Sequence, residues 1–333
     1  MTKLGIFVGE ENWTFFNEIF NDLTNHFNIE VFKKKTYNIP LLQGRLNSLA
    51  YREGIRSILR RNDICFFEWA SELLMEASQL PKSSVIVTRL HSFEIFEWAP
   101  KIKWDYVDKV IFVSQAMRKR FESLYPEHIH KTEFVYNGRP LDIFKPPIQR
   151  NFNFNLGMLC HITPIKRIYE VILMVYNLKA QGYRTHLHIA GKVVDLRYAA
   201  AIYRLVDKLN LQDSIIFYEY VTDSPAWLQN IDIFISNSYW EGQQVSLLEA
   251  MATGCYCLAH HWDGAEEILP PENLYFTEAE LMQKIIEYSK NPEAKRQDGQ
   301  TLMRNIALQK FDIERTKVQI RGIIEKVGNS SMH

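Results

Sequence analysis

The chain has 333 residues, 47% hydrophobic and 23% charged, so it can build one large or two ordinary domains with real cores and has the composition of a globular protein. Its 39 basic side chains balance 39 acidic ones, which argues against a general nucleic-acid binder. Four cysteines (Cys65, Cys160, Cys255, Cys257) with no C-x-x-C pair frame neither a disulfide scaffold nor a zinc site and fit a reducing, cytoplasmic setting.

The first residues carry one lysine and a short apolar run that Glu10 and Glu11 interrupt, too short for a signal peptide. Residues 4–9 read as a strand, 12–26 as a helix with Phe16, Ile19, Phe20 and Leu23 on one face, and 29–32 as a strand. A basic helical stretch follows over 45–61, with Arg52, Arg56 and Arg60 at i, i+4 spacing. Strands are expected at 63–68, 84–88 and 110–113, and Ser114 caps a helix over 115–124. Turn residues Asn137-Gly138-Arg139-Pro140 and Lys145-Pro146-Pro147, then a polar stretch, place a domain boundary at 148/149. Beyond it the rhythm repeats: strands at 156–161, 185–190, 214–218, 231–236 and 255–259, helices at 167–181, 198–209, 224–229 and 244–253. A last helix over 312–327, within a 312–333 segment, is long enough to pack back across the domain interface. This alternation predicts α/β domains, each a parallel sheet with helices on both faces. No apolar stretch approaches the roughly 18–20 residues that span a bilayer.

Neither G-x-G-x-x-G after a first strand nor a P-loop occurs, so a nucleotide would be held another way. The richest segment is 236–254, Ser-Asn-Ser-Tyr-Trp-Glu-Gly-Gln-Gln-Val-Ser-Leu-Leu-Glu-Ala-Met-Ala-Thr-Gly, a strand end, a loop, and a helix closed by glycine. Glu241 falls in the loop at the carboxyl end of a parallel strand, where open α/β sheets bind ligands. Val245 and Ser246 begin the helix, and their free N–H groups suit a phosphate. Glu249, about one turn on, can accept hydrogen bonds from neighbouring hydroxyls such as those of a ribose.

These residues resemble the E-x7-E motif of the retaining, GT-B-fold nucleotide-sugar glycosyltransferases of family 4. Cys160-His161-Ile162-Thr-Pro-Ile-Lys166-Arg167 resembles the family's Gly-Arg turn followed by Lys-Gly, and Tyr136-Asn137-Gly138-Arg139-Pro140-Leu-Asp142 its Pro-Asn-Gly-Val-Asp connector. Ala190-Gly191 and Asp263-Gly264-Ala265-Glu266-Glu267 match its Ala-Gly strand end and Gly-Gly-x-x-Glu turn. The order holds over nearly the whole second half and weakly over the first. The resemblance implies two Rossmann-like domains facing each other across a cleft, acceptor-binding over 1–148 and nucleotide-sugar-binding over 149–311, with the C-terminal helix crossing back. By the same resemblance Glu249 binds the ribose, Glu241 contacts the donor sugar near its anomeric centre, and Lys166 neutralises the diphosphate. His91, ending the strand in Val85-Ile-Val-Thr-Arg-Leu-His91, takes the place of a histidine that reaches the donor sugar. Gly9, Val221, Gly242, Gln243, Gln244, Val245 and Ser246 count among the donor contacts.

Three positions depart from the family. His161 stands where an arginine grips the diphosphate, and it brings no fixed charge; Arg167, where glycine is common, either compensates or points to solvent. Gln243 and Gln244 replace an aromatic-Gly pair, so their amides could read donor-sugar hydroxyls. Gly9-Glu10-Glu11-Asn12-Trp13 replaces a Gly-Gly pair that approaches the donor phosphates. The expected function is transfer of a sugar from a UDP- or GDP-linked donor to a saccharide or lipid-linked acceptor, with retention and without a metal, in polysaccharide or glycoconjugate biosynthesis. A non-catalytic nucleotide-sugar-binding protein, a phosphorylase and an epimerase are the alternatives. No nucleic-acid partner is expected; the basic 45–61 helix allows a peripheral contact with the inner membrane face. Cys255, Cys257, His260 and His261 read as core packing rather than a metal site, and His186 and His188 as structural.

Overall fold

The computed structural model describes residues 1–9, 13, 16–34 and 43–330, and these divide into two units, Met1–Gly138 with Ile313–His333, and Arg139–Asp312. The division after Gly138 falls earlier than the boundary expected at 148/149, because the segment after Gly138 already belongs to the second unit. Glu10, Glu11 and Asn12, with the start of the helix expected over 12–26, lie outside the described residues.

In the first unit β1 (Lys3–Phe7), α1 (Asn17–Thr24), β2 (Asn28–Val31), α2 (Gln43–Arg61), β3 (Ile64–Phe67), α3 (Glu72–Ser78), β4 (Val85–Leu90), α4 (Glu94–Glu97), β5 (Lys109–Phe112), α5 (Gln115–Leu124) and β6 (Thr132–Phe134) follow one another. The strands form one all-parallel sheet in the order β2-β1-β3-β4-β5-β6. Strands such as Ile64-Cys-Phe-Phe67 are buried at every residue, as a parallel sheet covered on both faces requires. Ser114 caps α5, its Oγ accepting from the Met117 N–H at 3.2 Å. On α2, Arg52, Arg56 and Arg61 pair with Glu76, Glu53 and Glu30, so much of its basic charge is met by carboxylates of its own unit.

The second unit runs β7 (Asn155–Leu159), α6 (Ile168–Ala180), β8 (His186–Ala190), α7 (Leu196–Lys208), β9 (Ile215–Tyr218), α8 (Ser224–Gln229), β10 (Ile233–Ser236), α9 (Val245–Ala252), β11 (Tyr256–His260), β12 (Leu274–Tyr275), α10 (Glu278–Lys290) and α11 (Glu293–Lys310). Its sheet, again all parallel, has the order β12-β11-β10-β7-β8-β9. Each sheet thus grows first to one side of its opening strand and then to the other. The resulting switch points lie between β1 and β3 and between β7 and β10, and such points are where open α/β sheets leave a crevice for ligands. Helix α12 (Ile313–Ser330) returns to the first unit and packs on α1, its Ile320 and Ile324 joining the core of Leu4, Ile6 and Phe66. Among the described residues no helix is long and apolar enough to cross a membrane.

Candidate active site

The loops after β7 and β10 meet at the switch point of the second unit. A single helical turn, Pro164–Lys166, begins with proline and carries Lys166 towards the β10 loop, where Tyr239 N–H donates to the Ile165 carbonyl at 2.9 Å. There Lys166 Nζ donates to Glu241 Oε1, which also accepts from Ser238 Oγ at 2.6 Å. Burial alone would pull the Lys166 pKa down; the Glu241 carboxylate reverses this and holds it above the ordinary lysine value. The neighbouring Cys160 thiol is pushed up to about 12 by burial and stays protonated.

Helix α9 starts immediately beyond this pair. No side chain caps its N-terminus, so its first N–H groups are available to an anion. Gln244 staples the ends of the β10–α9 loop: its Oε1 accepts from Ser236 Oγ, and its Nε2 donates to Ser246 Oγ at 3.1 Å. The amide expected to read sugar hydroxyls is therefore engaged within the loop, while Gln243 is buried beside it. Glu249 is only 7% exposed and accepts from Arg139 Nε at 2.9 Å. Burial raises its pKa, and Arg139 acts against that rise. Gly254 closes the helix at φ +76°, donating to the Met251 carbonyl.

Arg167 is not directed to solvent. It is buried, lies over the Tyr239 ring at 4.7 Å, and pairs with Glu278 at the start of α10. Its backbone is left-handed (φ +50°), the conformation for which glycine is favoured, at a cost of about 1–3 kcal/mol for a residue with a side chain. His161 is largely exposed, and partial desolvation of its ring together with the nearby Lys166 and Lys192 holds its pKa below the ordinary histidine value, which favours the neutral form at neutral pH. Gly191 ends β8 at φ +141°, and a Cβ there would lie 2.0 Å from the Cys160 carbonyl oxygen; only glycine lets the two loops approach so closely. Val221, half-buried, follows β9.

In the first unit His91 follows β4 at the carboxyl edge of the sheet. Register Phe67↔Thr88 puts the next residues, Glu68 and Arg89, side by side, both fully buried. Arg89 donates to Glu68 Oε1 at 2.5 Å and to Asn137 Oδ1, and His91 Nε2 lies 3.2 Å from Glu68 Oε1. Trp69 stacks on the imidazole, centroids 4.0 Å apart. Glu94 accepts from the His91 and Ser92 N–H groups at 3.1 and 2.8 Å. Gly9, at φ +75°, ends the loop after β1 that is described. Sequence reasoning did not find Glu68, Arg89 or the Arg139–Glu249 contact. The available signal was a charged residue at the end of each of two neighbouring apolar strands, which only a buried pair explains. Among the described residues no cluster of three or more His, Cys, Asp or Glu could hold a metal ion, Cys255, Cys257, His260 and His261 included.

Two Rossmann-like units, each an all-parallel six-stranded sheet with its switch point, make this a GT-B fold. Residues 153–291, within the second unit, match the family model of the glycosyl transferases group 1. Protein CapJ of Staphylococcus aureus is 22% identical over 162 residues, which cover 47% of this chain and 40% of CapJ. The lipopolysaccharide core biosynthesis mannosyltransferase LpsB of Rhizobium meliloti (strain 1021) is 35% identical over 68 residues, 20% of this chain and 19% of LpsB. The chain thus spans less than half the length of either relative. Anabaena Alr3699/HepE in complex with UDP and glucose superposes with a TM-score of 0.77 at 17% identity, covering 98% of this chain and 99% of that one.

Proposed function

We propose that the chain is a retaining, metal-independent glycosyltransferase that moves a sugar from a nucleoside-diphosphate sugar to a saccharide or lipid-linked acceptor. The observation that carries this reading is the Lys166–Glu241 pair at a switch point, beside an uncapped helix start with Glu249 in the second turn. A nucleotide sugar presents matching chemistry in the same order: a reacting sugar, a diphosphate and a ribose diol. Glu249 accepts from the ribose hydroxyls, the α9 N–H groups and Lys166 take the diphosphate, and Glu241 meets the sugar near its anomeric carbon. His91 serves the donor sugar. UDP is the first base to test, since HepE is described with UDP.

Thermal unfolding with UDP, GDP and ADP in parallel, with EDTA present, tests the site. One of them at 100 times its Kd should stabilise the protein by about 2.7 kcal/mol, and Glu249→Ala should lose that shift. No shift with any of the three sinks the reading. Retention is then read from the anomeric NMR signal of the first-formed product.

His161 sets a further expectation. The terminal phosphate of a free nucleoside diphosphate itself titrates near pH 6, so the intact nucleotide sugar is the probe. A bound diphosphate favours imidazolium, so as pH falls from 7.5 to 5.5 His161 gains charge and tightens binding in the parent relative to His161→Ala. His161→Arg, charged throughout, should bind about tenfold tighter at pH 7.5 and lose this component of the pH slope. Identical slopes in all three proteins by calorimetry would remove His161 from the diphosphate site.

A second reading, a nucleotide-sugar-binding GT-B protein without transfer activity, draws on the neutral His161 and the engaged Gln244 amide. Donor hydrolysis or transfer that disappears in Glu241→Ala excludes it.

A further inference from the structure

We propose that Arg139 is a positioning residue of the nucleotide site, holding the Glu249 carboxylate in the charged and oriented form that accepts both hydroxyls of a nucleotide ribose. The inference rests on the reading of the second unit as a nucleotide-sugar site. Arg139 stands in the connector, where the sequence motif gave it no part.

Its backbone is fixed from both sides. Pro140 restricts the residue before it to extended conformations, and the Arg139 N–H donates to the Phe311 carbonyl at 3.0 Å within a parallel bridge to Asp312. From this anchor the side chain, 16% exposed, places Nε 2.9 Å from Glu249 Oε1. The contact uses one lone pair, and an ionised carboxylate offers about four acceptor positions, so two ribose hydroxyls can be bound while Arg139 stays in place. A protonated Glu249 would give one oxygen to its own O–H and could not accept from the diol in the same way.

Burial favours that protonated form, and Arg139 is the group that opposes it. Of the elements packed against α9, α11 carries Glu293, Lys295, Arg296, Asp298, Arg304 and Lys310, and Arg296 donates to the Asn291 carbonyl. On α11, Arg304 donates to the Phe144 and Ala252 carbonyls and Lys310 to the Glu267 carbonyl. Strand β10 carries no ionisable side chain. Strand β11 carries Tyr256 and Cys257, both held above their ordinary values by burial, and His260, held below its own by burial and Arg167.

The test measures binding of whichever of UDP, GDP and ADP the parent takes, from pH 8 to pH 6, for the parent, Arg139→Met and Arg139→Lys, each also in a Glu249→Gln background. Ligand titration is common to all and cancels in the ratio of affinities. Arg139→Met should bind about 10- to 100-fold more weakly at pH 7.5, the size expected for a charge-assisted hydrogen bond. The deficit should grow as pH falls, because Glu249 without its cation protonates at higher pH than in the parent. Arg139→Lys should stay within a few-fold of the parent, and with Glu249→Gln the Met substitution should change affinity less than about twofold. Should Arg139→Met unfold, Arg139→Gln carries the same readout. Affinity equal to the parent at every pH, or an undiminished loss in the Glu249→Gln background, overturns the proposal while leaving the nucleotide site standing. A parent that binds none of the three overturns both.

Discussion

Lys166→Ala should lower sugar-transfer turnover about 10²- to 10³-fold, equivalent to about 2.7–4 kcal/mol of transition-state stabilisation. In the proposed reaction negative charge would grow on the departing diphosphate as the glycosidic bond breaks, and an ammonium already fixed beside Glu241 would stabilise it without reorganisation. The pair is mostly buried, its side chains 17% and 14% exposed, so the interaction is weakly screened and the loss should persist at high salt. The substitution also strands the Glu241 carboxylate without its cation, which adds repulsion towards the same diphosphate. The effect of Lys166→Ala measured in a Glu241→Gln background, against Glu241→Gln alone, separates the two: the leaving-group loss remains there, whereas the repulsion does not. Lys166→Arg should recover only part of the activity, because a planar fork does not occupy the position of a compact ammonium. Single-turnover rates at saturating donor measure this directly. A drop of less than tenfold would mean that Lys166 does not face the leaving group.

Lys166, Glu241 and Glu249 are named by the family resemblance, and local sequence accounts for the shape of the segments that carry them. Each lies in a turn or helix start whose shape is set by its immediate neighbours: Pro164 before Lys166, and the Ser236–Gln244 loop around Glu241. The α/β alternation was equally local, and β10, α9 and β11 fall within a residue or two of the ranges read from apolar periodicity. Contacts between distant residues were not legible. Arg139 and Glu249 are 110 positions apart, Arg89 and Asn137 48, and only the folded sheet brings them together. Short or weakly amphipathic elements escaped as well: β12 has two residues, and α11 buries only Met303 and Ala307 of its 18. Helix α10 had left a signal, since Thr277 and Glu280 form a capping box, which T-x-x-E before Leu281 announces. Arg167 shows another case, in which a motif position was recognised with two directions left open for its side chain, and burial excludes the solvent-facing one. A glycine-like backbone told nothing of the buried pocket formed by Tyr239 and Glu278.

Glu68→Ala should cost about 3–5 kcal/mol of stability in the first unit, the penalty for leaving one partner of a buried ion pair uncompensated. Both side chains of the Glu68–Arg89 pair are wholly removed from solvent, so Arg89 cannot turn to water, and Asn137 alone would remain to receive it. Amide hydrogen exchange of β3 and β4 in urea is the measurement, because two units need not unfold together and a single midpoint would average them. A replacement of both charges, Glu68→Met with Arg89→Met, should be less destabilising than Glu68→Ala alone, since neither variant charge is then stranded. A Glu68→Ala cost below about 1 kcal/mol would show that water or a local rearrangement reaches Arg89. In the proposed reaction the pair would also bear on chemistry: His91 Nε2 lies 3.2 Å from both the Glu68 carboxylate and the Glu68 backbone carbonyl, with Trp69 against its face, so the carboxylate that neutralises Arg89 shares the imidazole with a main-chain oxygen. If His91 serves the proposed reaction, the double-Met variant, which keeps the carbonyl of residue 68, should retain the fold and lower turnover by the share of His91 placement that the carboxylate supplies. That split between a tolerated fold and a lost rate is what distinguishes a carboxylate that orients the histidine from one that only neutralises an arginine.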